Sequence, residues 1–421
     1  MNKGVLHVVT VLPFRGLRPA PDKAKAVASP PYDVLNTKEA REMAKGNPIS
    51  FLRVNKAELE FDDKANPYSP EVYQRGKDNL DKLIKDGVMS RDATLCFYIY
   101  RLTMDGRPQT GLVALTSCEE YDRGVIKRHE HTRPEKVKDR GNHIESLQAQ
   151  VGPVFCAFRE DKPLKPIFEK VTKGKATYDF VAADGIRHEL WVVSDDKTIK
   201  SIVDGFARLD NIYICDGHHR SASASEVRRR MMERNKQHTG KELYNFFLNV
   251  IFPASDLKIL PYNRVIKDLH GLTVGELFEK AAGKFDVKKE KAEPKLEAPH
   301  QFAIYAGKAW YRLVAKSGSF DDKSPTASID ASIIHANLIA PFLGITDPKT
   351  DKRIDFVGGI RGTQELVRLV DSGEYKLAIA VFPTTLEQLF KVADAGEVMP
   401  PKSTWFEPKL RDGIVVALLN D

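Results

Sequence analysis

Apolar and polar positions along the chain follow two periods in turn, and the changes of period mark out the elements. Alternation or short apolar runs at 8–11, 95–103, 111–116, 154–158, 177–182, 188–193, 211–215 and 244–252 predict strands. The turn Met104-Asp105-Gly106-Arg107 joins the second and third of these into a hairpin, which predicts a mixed rather than purely parallel sheet. Helical spacing predicts helices over 37–45, 71–86, 197–207 and 221–236, the second with an apolar stripe at Leu80, Leu83, Ile84 and Val88. A further helix is predicted from about Asn142, where Asn142 and Glu145 have the spacing of a capping box and Ile144, Leu147 and Val151 share a face.

After residue 266 the texture changes. Helices are predicted over 272–284, 329–343 and 363–371, a charged connector over 290–299, and a hairpin of 301–305 with 310–314 through Gly307. Strands are predicted at 377–382 and 414–419. Helices and strands alternate without a strict βαβ rhythm, so the expected class is α+β. Three segments are expected: an N-terminal α+β segment over 1–120, a core over 121–266 and a C-terminal α+β segment over 267–421.

The chain's 421 residues are enough to bury a full core, and 42% apolar with 29% charged residues is the balance of a globular protein in water. The longest apolar runs fall far short of a membrane span, and residues 1–7 have no apolar core of the signal-peptide kind, so a cytoplasmic location is expected. Cys96, Cys118, Cys156 and Cys215 have no CxxC spacing and read as reduced thiols, not as a zinc site. The net charge of +7 is spread along the chain; it suits an anionic ligand and gives weak footing for nucleic acid. Its densest run, Arg228-Arg229-Arg230, reads as a solvated helix face.

The strongest chemical signal is Asp216-Gly217-His218-His219-Arg220, set between the strand at 211–215 and the helix at 221–236. Backbone N–H groups at a helix start favour anions, and Gly217 permits a tight turn and close approach of a ligand. Arg grips a phosphate bidentately and His donates to it. A second cluster, His129-Glu130-His131, lies among Lys127, Arg128 and Arg133, where the carboxylate suits a general base. Arg140 and His143 read as first-turn surface residues. There is no P-loop, no Gly-x-Gly-x-x-Gly after a strand and no Gly-x-Ser-x-Gly elbow. Five histidines, at 129, 131, 143, 218 and 219, lack the ligand spacing of a metal-dependent hydrolase. Pro30-Pro31-Tyr32-Asp33 and the stretch 399–410 read as irregular backbone fixed by packing, with Lys402, Ser403 and Thr404 of a type that touches phosphate or carboxylate.

Pro-Pro-Tyr-Asp-Val, Arg-His-Glu-His-Thr, Asp-Gly-His-His-Arg and Met-Pro-Pro-Lys-Ser-Thr-Trp-Phe together resemble a bacterial and archaeal family labelled a domain of unknown function. The middle of the chain is similar to the ParB/sulfiredoxin-like fold of free serine kinases, with Lys127, His129 and Glu130 matching their Lys-x-His-Glu stretch and Asp216 to Arg220 their second motif. The two motifs stand about eighty residues apart here, farther than in the compact kinases. The resemblance implies a ParB/sulfiredoxin-like core with a mixed sheet, elaborated by N- and C-terminal segments. It implies phosphoryl transfer between a nucleotide (ATP or ADP) and free L-serine, or the reverse from O-phosphoserine, in serine/cysteine metabolism. On this reading Glu130, His129 and Asp216 are catalytic and Gly217, His218, His219 and Arg220 bind phosphate. Mg²⁺ is expected, with Asp216 its holder. The partners expected are the small-molecule substrate and the nucleotide, with no membrane and no nucleic acid. A phosphoserine phosphatase on the same scaffold and a nucleotide-binding ParB-like regulator are the alternatives.

Overall fold

The computed structural model describes residues 8–159 and 163–420; the reading of residues 1–7 falls outside them. It is an α+β fold. Backbone contacts divide the chain into two compact units, 1–257 with 408–421, and 258–407, where the sequence suggested three segments. The first unit is built on one large sheet that takes strands from both sides of residue 120. Among the described residues, no helix is long and apolar enough to cross a membrane, and the four cysteines are free and buried.

The strands of that sheet are β1 (Val11–Leu12), β2 (Phe97–Met104), β3 (Arg107–Ser117), β4 (Ile126–Lys127), β5 (Val154–Phe158), β6 (Tyr178–Val181), β7 (Arg187–Val193), β8 (Ile212–Asp216) and β9 (Phe246–Pro253). They lie in the order β4-β8-β5-β9-β3-β2-β7-β6, with β1 added on β3. The β8–β4 and β9–β5 pairs are parallel and the others antiparallel, so the sheet is mixed as expected. The β2–β3 hairpin closes through Asp105 and Gly106, both at positive φ, the backbone whose twist matches that of the strands. Every residue of β5 is buried, which accounts for its unbroken apolar run Val-Phe-Cys-Ala-Phe.

The helices of this unit include α1 (Thr37–Met43), α2 (Leu52–Asn55), α3 (Pro70–Lys85), α4 (Pro134–Leu147), α5 (Leu164–Thr172), α6 (Asp196–Phe206) and α7 (His218–Arg234). Leu164 and Phe168 of α5 and Ile202 and Phe206 of α6 pack with Ile99, Leu112, Cys156 and Phe158 of the sheet. α4 begins at Pro134, not near Asn142. Proline is preorganised for a first helical position, and the Asn142–Glu145 spacing serves another purpose. Asn142 Oδ1 accepts from Arg230 Nη1 at 3.2 Å, and Glu145 pairs with Arg230 and Arg234, each at 2.8 Å, clamping α4 to α7. The arginine run is therefore only partly solvated. Arg228 and Arg230 are each 19% exposed and ion-paired, while Arg229 is exposed.

The segment after Pro408 adds three strap-like contacts to this unit. The backbones of Ser29 and Asp412 exchange hydrogen bonds at 3.1 and 2.9 Å, those of Leu17 and Val416 at 2.9 and 2.8 Å, and Ala417–Leu418 pairs with Ala149–Gln150. The strand expected over 414–419 is reduced to that last pair.

The second unit holds an antiparallel six-stranded sheet. Its strands are β10 (Tyr262–Ile266), β11 (Phe285–Glu290), β12 (Gln301–Ala306), β13 (Ala309–Ala315), β14 (Ile354–Gly358) and β15 (Leu377–Val381), in the order β11-β13-β12-β15-β10-β14. The β12–β13 hairpin through Gly307 falls where the sequence places it. Ile333, Ile334, Leu338 and Leu343 pack against Phe302, Ile304 and Ile379 on one face of this sheet. Lys402, Ser403 and Thr404 belong to this unit, where Lys402 Nζ lies 5.2 Å from the Tyr262 ring and Ser403 Oγ donates to Pro400 O.

Candidate functional site

Two residues of parallel pairing bring the two sequence motifs together. Ile126 is in register with Ile212 and Lys127 with Tyr213, so both chains leave the sheet in the same direction. One carries on into His129 and Glu130, the other into Asp216 and Gly217. The register of β8 against β5 shifts between Ile214 and Asp216, which ends the ladder at the turn. Gly217 then takes φ 94° and ψ 28°, and a Cβ there would stand 3.0 Å from Arg220 Nε. Both facts require glycine. α7 begins at His218, and its first i→i−4 bond is from Ser221 N to Gly217 O at 3.0 Å. The N–H groups of His218, His219 and Arg220 precede that bond and make the anion-favouring end of the helix.

Asp216 sits at the centre of charge. Its Oδ1 accepts from Gly217 N at 3.0 Å, and its Oδ2 is 3.3 Å from Lys409 Nζ and 3.5 Å from Arg220 Nη2. Burial alone would raise its carboxyl, but the Lys409 ammonium and the Arg220 guanidinium outweigh burial and hold it well below the usual carboxylate range. Arg220 is 8% exposed and donates through Nη1 to Pro153 O. Burial opposes its charge, and Asp33, Asp216 and Asp412 restore it.

The two histidines of the turn tie down the opposite loop. His218 Nε2 accepts from the backbone N–H of His129 at 3.4 Å, and His219 Nε2 accepts from that of Arg133 at 3.1 Å. With Nε2 accepting, a neutral ring carries its proton on Nδ1. In His218 that atom lies 3.7 Å from Glu130 Oε2. The His129 ring meets the His218 ring edge-on at a centroid distance of 4.5 Å. Burial pushes His129 down to about 4, and burial with the neighbouring His129 pushes His218 far below its ordinary value. Both are neutral imidazoles at neutral pH. The side chain of Glu130 is 58% exposed, so its carboxylate reaches the solvent side of the pair.

The structure thus gathers His129, Glu130, Asp216, Gly217, His218, His219 and Arg220. His131 is exposed, one residue beyond Glu130. Arg140 and His143 are not first-turn surface residues. They lie in the middle of α4, where His143 is 5% exposed with Nε2 3.2 Å from Val54 O, and Arg140 pairs with Asp139 at 3.0 Å. Among the described residues, no three His, Cys, Asp or Glu side chains gather to hold a metal. Both oxygens of Asp216 are engaged, Oδ2 by two cations, so its donor set does not fit a magnesium held by the protein. Sequence reasoning missed Lys409 and Asp412. Lys409 lies in the irregular 399–410 stretch, but nothing local announces its partner. Asp412 is fully buried, accepts from Asn55 Nδ2, and has its carboxyl pushed up to about 8 by burial.

Lys409→Met removes the ammonium nearest Asp216 Oδ2. The Asp216 carboxyl should then move up by about one pH unit in a ¹³C NMR titration. A depressed carboxylate contributes stability that is complete above its unfolded value of about 3.9 and is lost as pH falls through the folded value, so the variant should be destabilised at pH 7, and the difference from the wild type should shrink only as pH falls below the usual carboxylate range. An unmoved Asp216 titration would remove Lys409 from the balancing role. The buried histidines set a second expectation. His129, His143, His188 and His218 all stay neutral in the folded chain because burial lowers them, to about 4, 3 and 3 for the first three. Their contribution is complete above about pH 6.5 and is lost as pH falls toward those values, at up to about 1.4 kcal/mol per pH unit for each. The proton kept by Asp412 offsets one of the four. Urea midpoints should fall between pH 6.5 and 5, and His143→Gln should flatten the fall; a midpoint constant over that range contradicts neutral histidines.

No curated protein matches the chain. Several solved structures resemble it in part. A free serine kinase in complex with AMP shares 13% identity over 70% of this chain and 86% of its own, with a TM-score of 0.35. SbnI with a C-terminal truncation, from Staphylococcus aureus, shares 11% over 71% of this chain and 85% of its own, at 0.38. A conserved hypothetical protein from Pyrococcus furiosus shares 15% over 73% of this chain and 95% of its own, at 0.35. The model of one protein family, described as "Protein of unknown function (DUF1015)", matches residues 11–332, and the chain belongs to that family.

Proposed function

We propose that the chain transfers a phosphoryl group between a nucleotide, ATP or ADP, and the hydroxyl of free L-serine, in either direction, on a ParB/sulfiredoxin-like core. The observation that carries this reading is the meeting of Glu130 with the Asp216–Arg220 turn: Glu130 Oε2 stands 3.7 Å from His218 Nδ1, across a stretch of sequence in which His129 and His218 are 89 residues apart. A base and an anion cradle are the two parts this chemistry asks of a protein.

In the forward direction the serine Oγ attacks the terminal phosphorus, its proton passes to Glu130, and the bond from that phosphorus to the bridging oxygen of the nucleotide breaks. The nucleotide leaves with the electron pair and the added negative charge. His218, neutral with its proton on Nδ1, orients the Glu130 carboxylate. The N–H groups at the start of α7 with Arg220 and Lys409 face the phosphate charge, and Asp216 keeps those two cations in place. Because phosphoryl transition states are loose, positioning and charge stabilisation carry most of the rate and the base contributes less.

The test follows ³¹P by NMR with L-serine and ATP or ADP, then with O-phosphoserine alone or with AMP or ADP. Transfer to or from the nucleotide supports the reading. Phosphate released from O-phosphoserine without nucleotide makes the chain a phosphatase instead, and no turnover together with salt-sensitive DNA binding sinks the enzyme reading. Glu130→Gln should lower turnover by about 10²–10⁴-fold while nucleotide affinity stays unchanged; full turnover in that variant removes Glu130 as the base.

A further inference from the structure

Arg220 is shared between the turn and a cavity of about 30 Å³ that the reaction above leaves without a role. Its polar walls include Tyr32, Asn55, Arg140, His143, Gly152 and Arg220. Arg140 is held in place by Asp139 and lies 4.2 Å from the centre of the Tyr32 ring. That pairing gives the Pro-Pro-Tyr-Asp motif a place in the molecule: Tyr32 fixes a guanidinium in the wall of this cavity.

Two buried polar atoms of opposite kind lack partners, one on a residue of its wall and one behind the wall, next to Gly152. Arg220 Nε has no acceptor and Asp412 Oδ1 has no donor. Gly152 stands between these side chains: a Cβ there would lie 3.2 Å from Asp412 Oδ1 and 3.5 Å from Arg220 Cδ. Leaving such buried groups orphaned is costly, and folded proteins rarely leave them uncompensated. An unmet cationic donor in the wall and an unmet carboxyl oxygen just behind it form the complement of a molecule that carries an anion and an ammonium close together. The volume is room for about two or three waters, or for the head of a small molecule that displaces them.

We propose that this cavity receives the ammonium–carboxylate end of a free α-amino acid, its carboxylate against Arg220 and Arg140 and its ammonium against Asp412. This rests on the serine reading and names how that substrate is held. Arg220 is then the joint between the two halves of the site, since its Nη2 also lies 3.5 Å from Asp216 Oδ2 at the phosphate turn. The state of Asp412 supports the assignment. It faces Asn55 from α2, Arg140 from α4, Arg220 from α7, Tyr100 from β2, Asp33 from the turn before α1, and Arg411 on its own segment. Burial pushes it up, Arg220, Arg140 and Arg411 pull it down, Asp33 adds to the rise, and it settles at about 8. An arriving ammonium favours the carboxylate, so binding at pH 7 releases a proton.

The experiment is calorimetry on the nucleotide-free full chain at pH 7, titrating L-serine, glycine and acetate in two buffers of different ionisation heat. L-serine and glycine should bind with proton release, and acetate should not bind. Gly152→Ala should weaken both amino acids by about tenfold while ADP binding is unchanged. The near-isosteric Asp412→Asn should abolish proton release. Absence of amino-acid binding, acetate binding as well as glycine, or wild-type affinity and proton release in both variants each overturns the proposal. If the chain phosphorylates serine but both variants keep its KM, the cavity assignment fails and the kinase reading stands. If amino acids bind as described without phosphoryl transfer, the cavity stands and the kinase reading fails.

Discussion

The site depends on one short piece of parallel pairing, Ile126–Lys127 against Ile212–Tyr213. Two residues of ladder contribute little free energy by themselves. What they set is direction: both chains exit the sheet edge in parallel, so the third residue beyond each pair is an acid, Glu130 on one chain and Asp216 on the other. The backbone bonds from His129 and Arg133 to the two histidines of the turn then fix the loop that β4 starts. The His-His pair thus holds the Glu130 loop in place.

The second constraint is electrostatic. Desolvation of a half-buried acid would normally raise its carboxyl and favour the neutral form. Asp216 keeps its charge because Lys409 arrives from a segment far along the chain and Arg220 from the first turn of α7. The same arginine leaves an unmet Nε, and Asp412 leaves an unmet oxygen nearby. At the turn one carboxylate is shared by two cations, whereas near the cavity one guanidinium nitrogen and one carboxyl oxygen stay without partners. The turn is thus assembled without a ligand, while the groups near the cavity keep unmet hydrogen-bonding capacity.

Local signals in the sequence were reliable where the chain obeyed local rules. The hairpin at Asp105-Gly106, the strand–turn–helix at Asp216 to Arg220 and the stripe helix Pro70–Lys85 all follow from short-range pattern and turn chemistry. The pattern misled where polar residues serve distant partners. Asn142 and Glu145 imitate a cap but answer Arg230, and Arg228 with Arg230 imitates a solvated face but is ion-paired. Lys409 and Asp412 were beyond reach for the same reason, since their partners lie 193 and 357 residues away.

The return of the 408–421 segment to the first unit has a consequence for how the protein is made. A ribosome emits the sheet, the Glu130 loop and the Asp216 turn early, then the whole of 258–407, and only afterwards the lysine that balances Asp216. Until that moment the nascent turn carries an acid with one cation in place of two, and Asn55 lacks the carboxylate it binds. Closing so long a loop adds only a few tenths to about 1 kcal/mol of entropy beyond a loop of half that length. The order of synthesis still makes the charge balance of the turn one of the last things to form, so an unfinished chain holds the scaffold of the site without its working electrostatics.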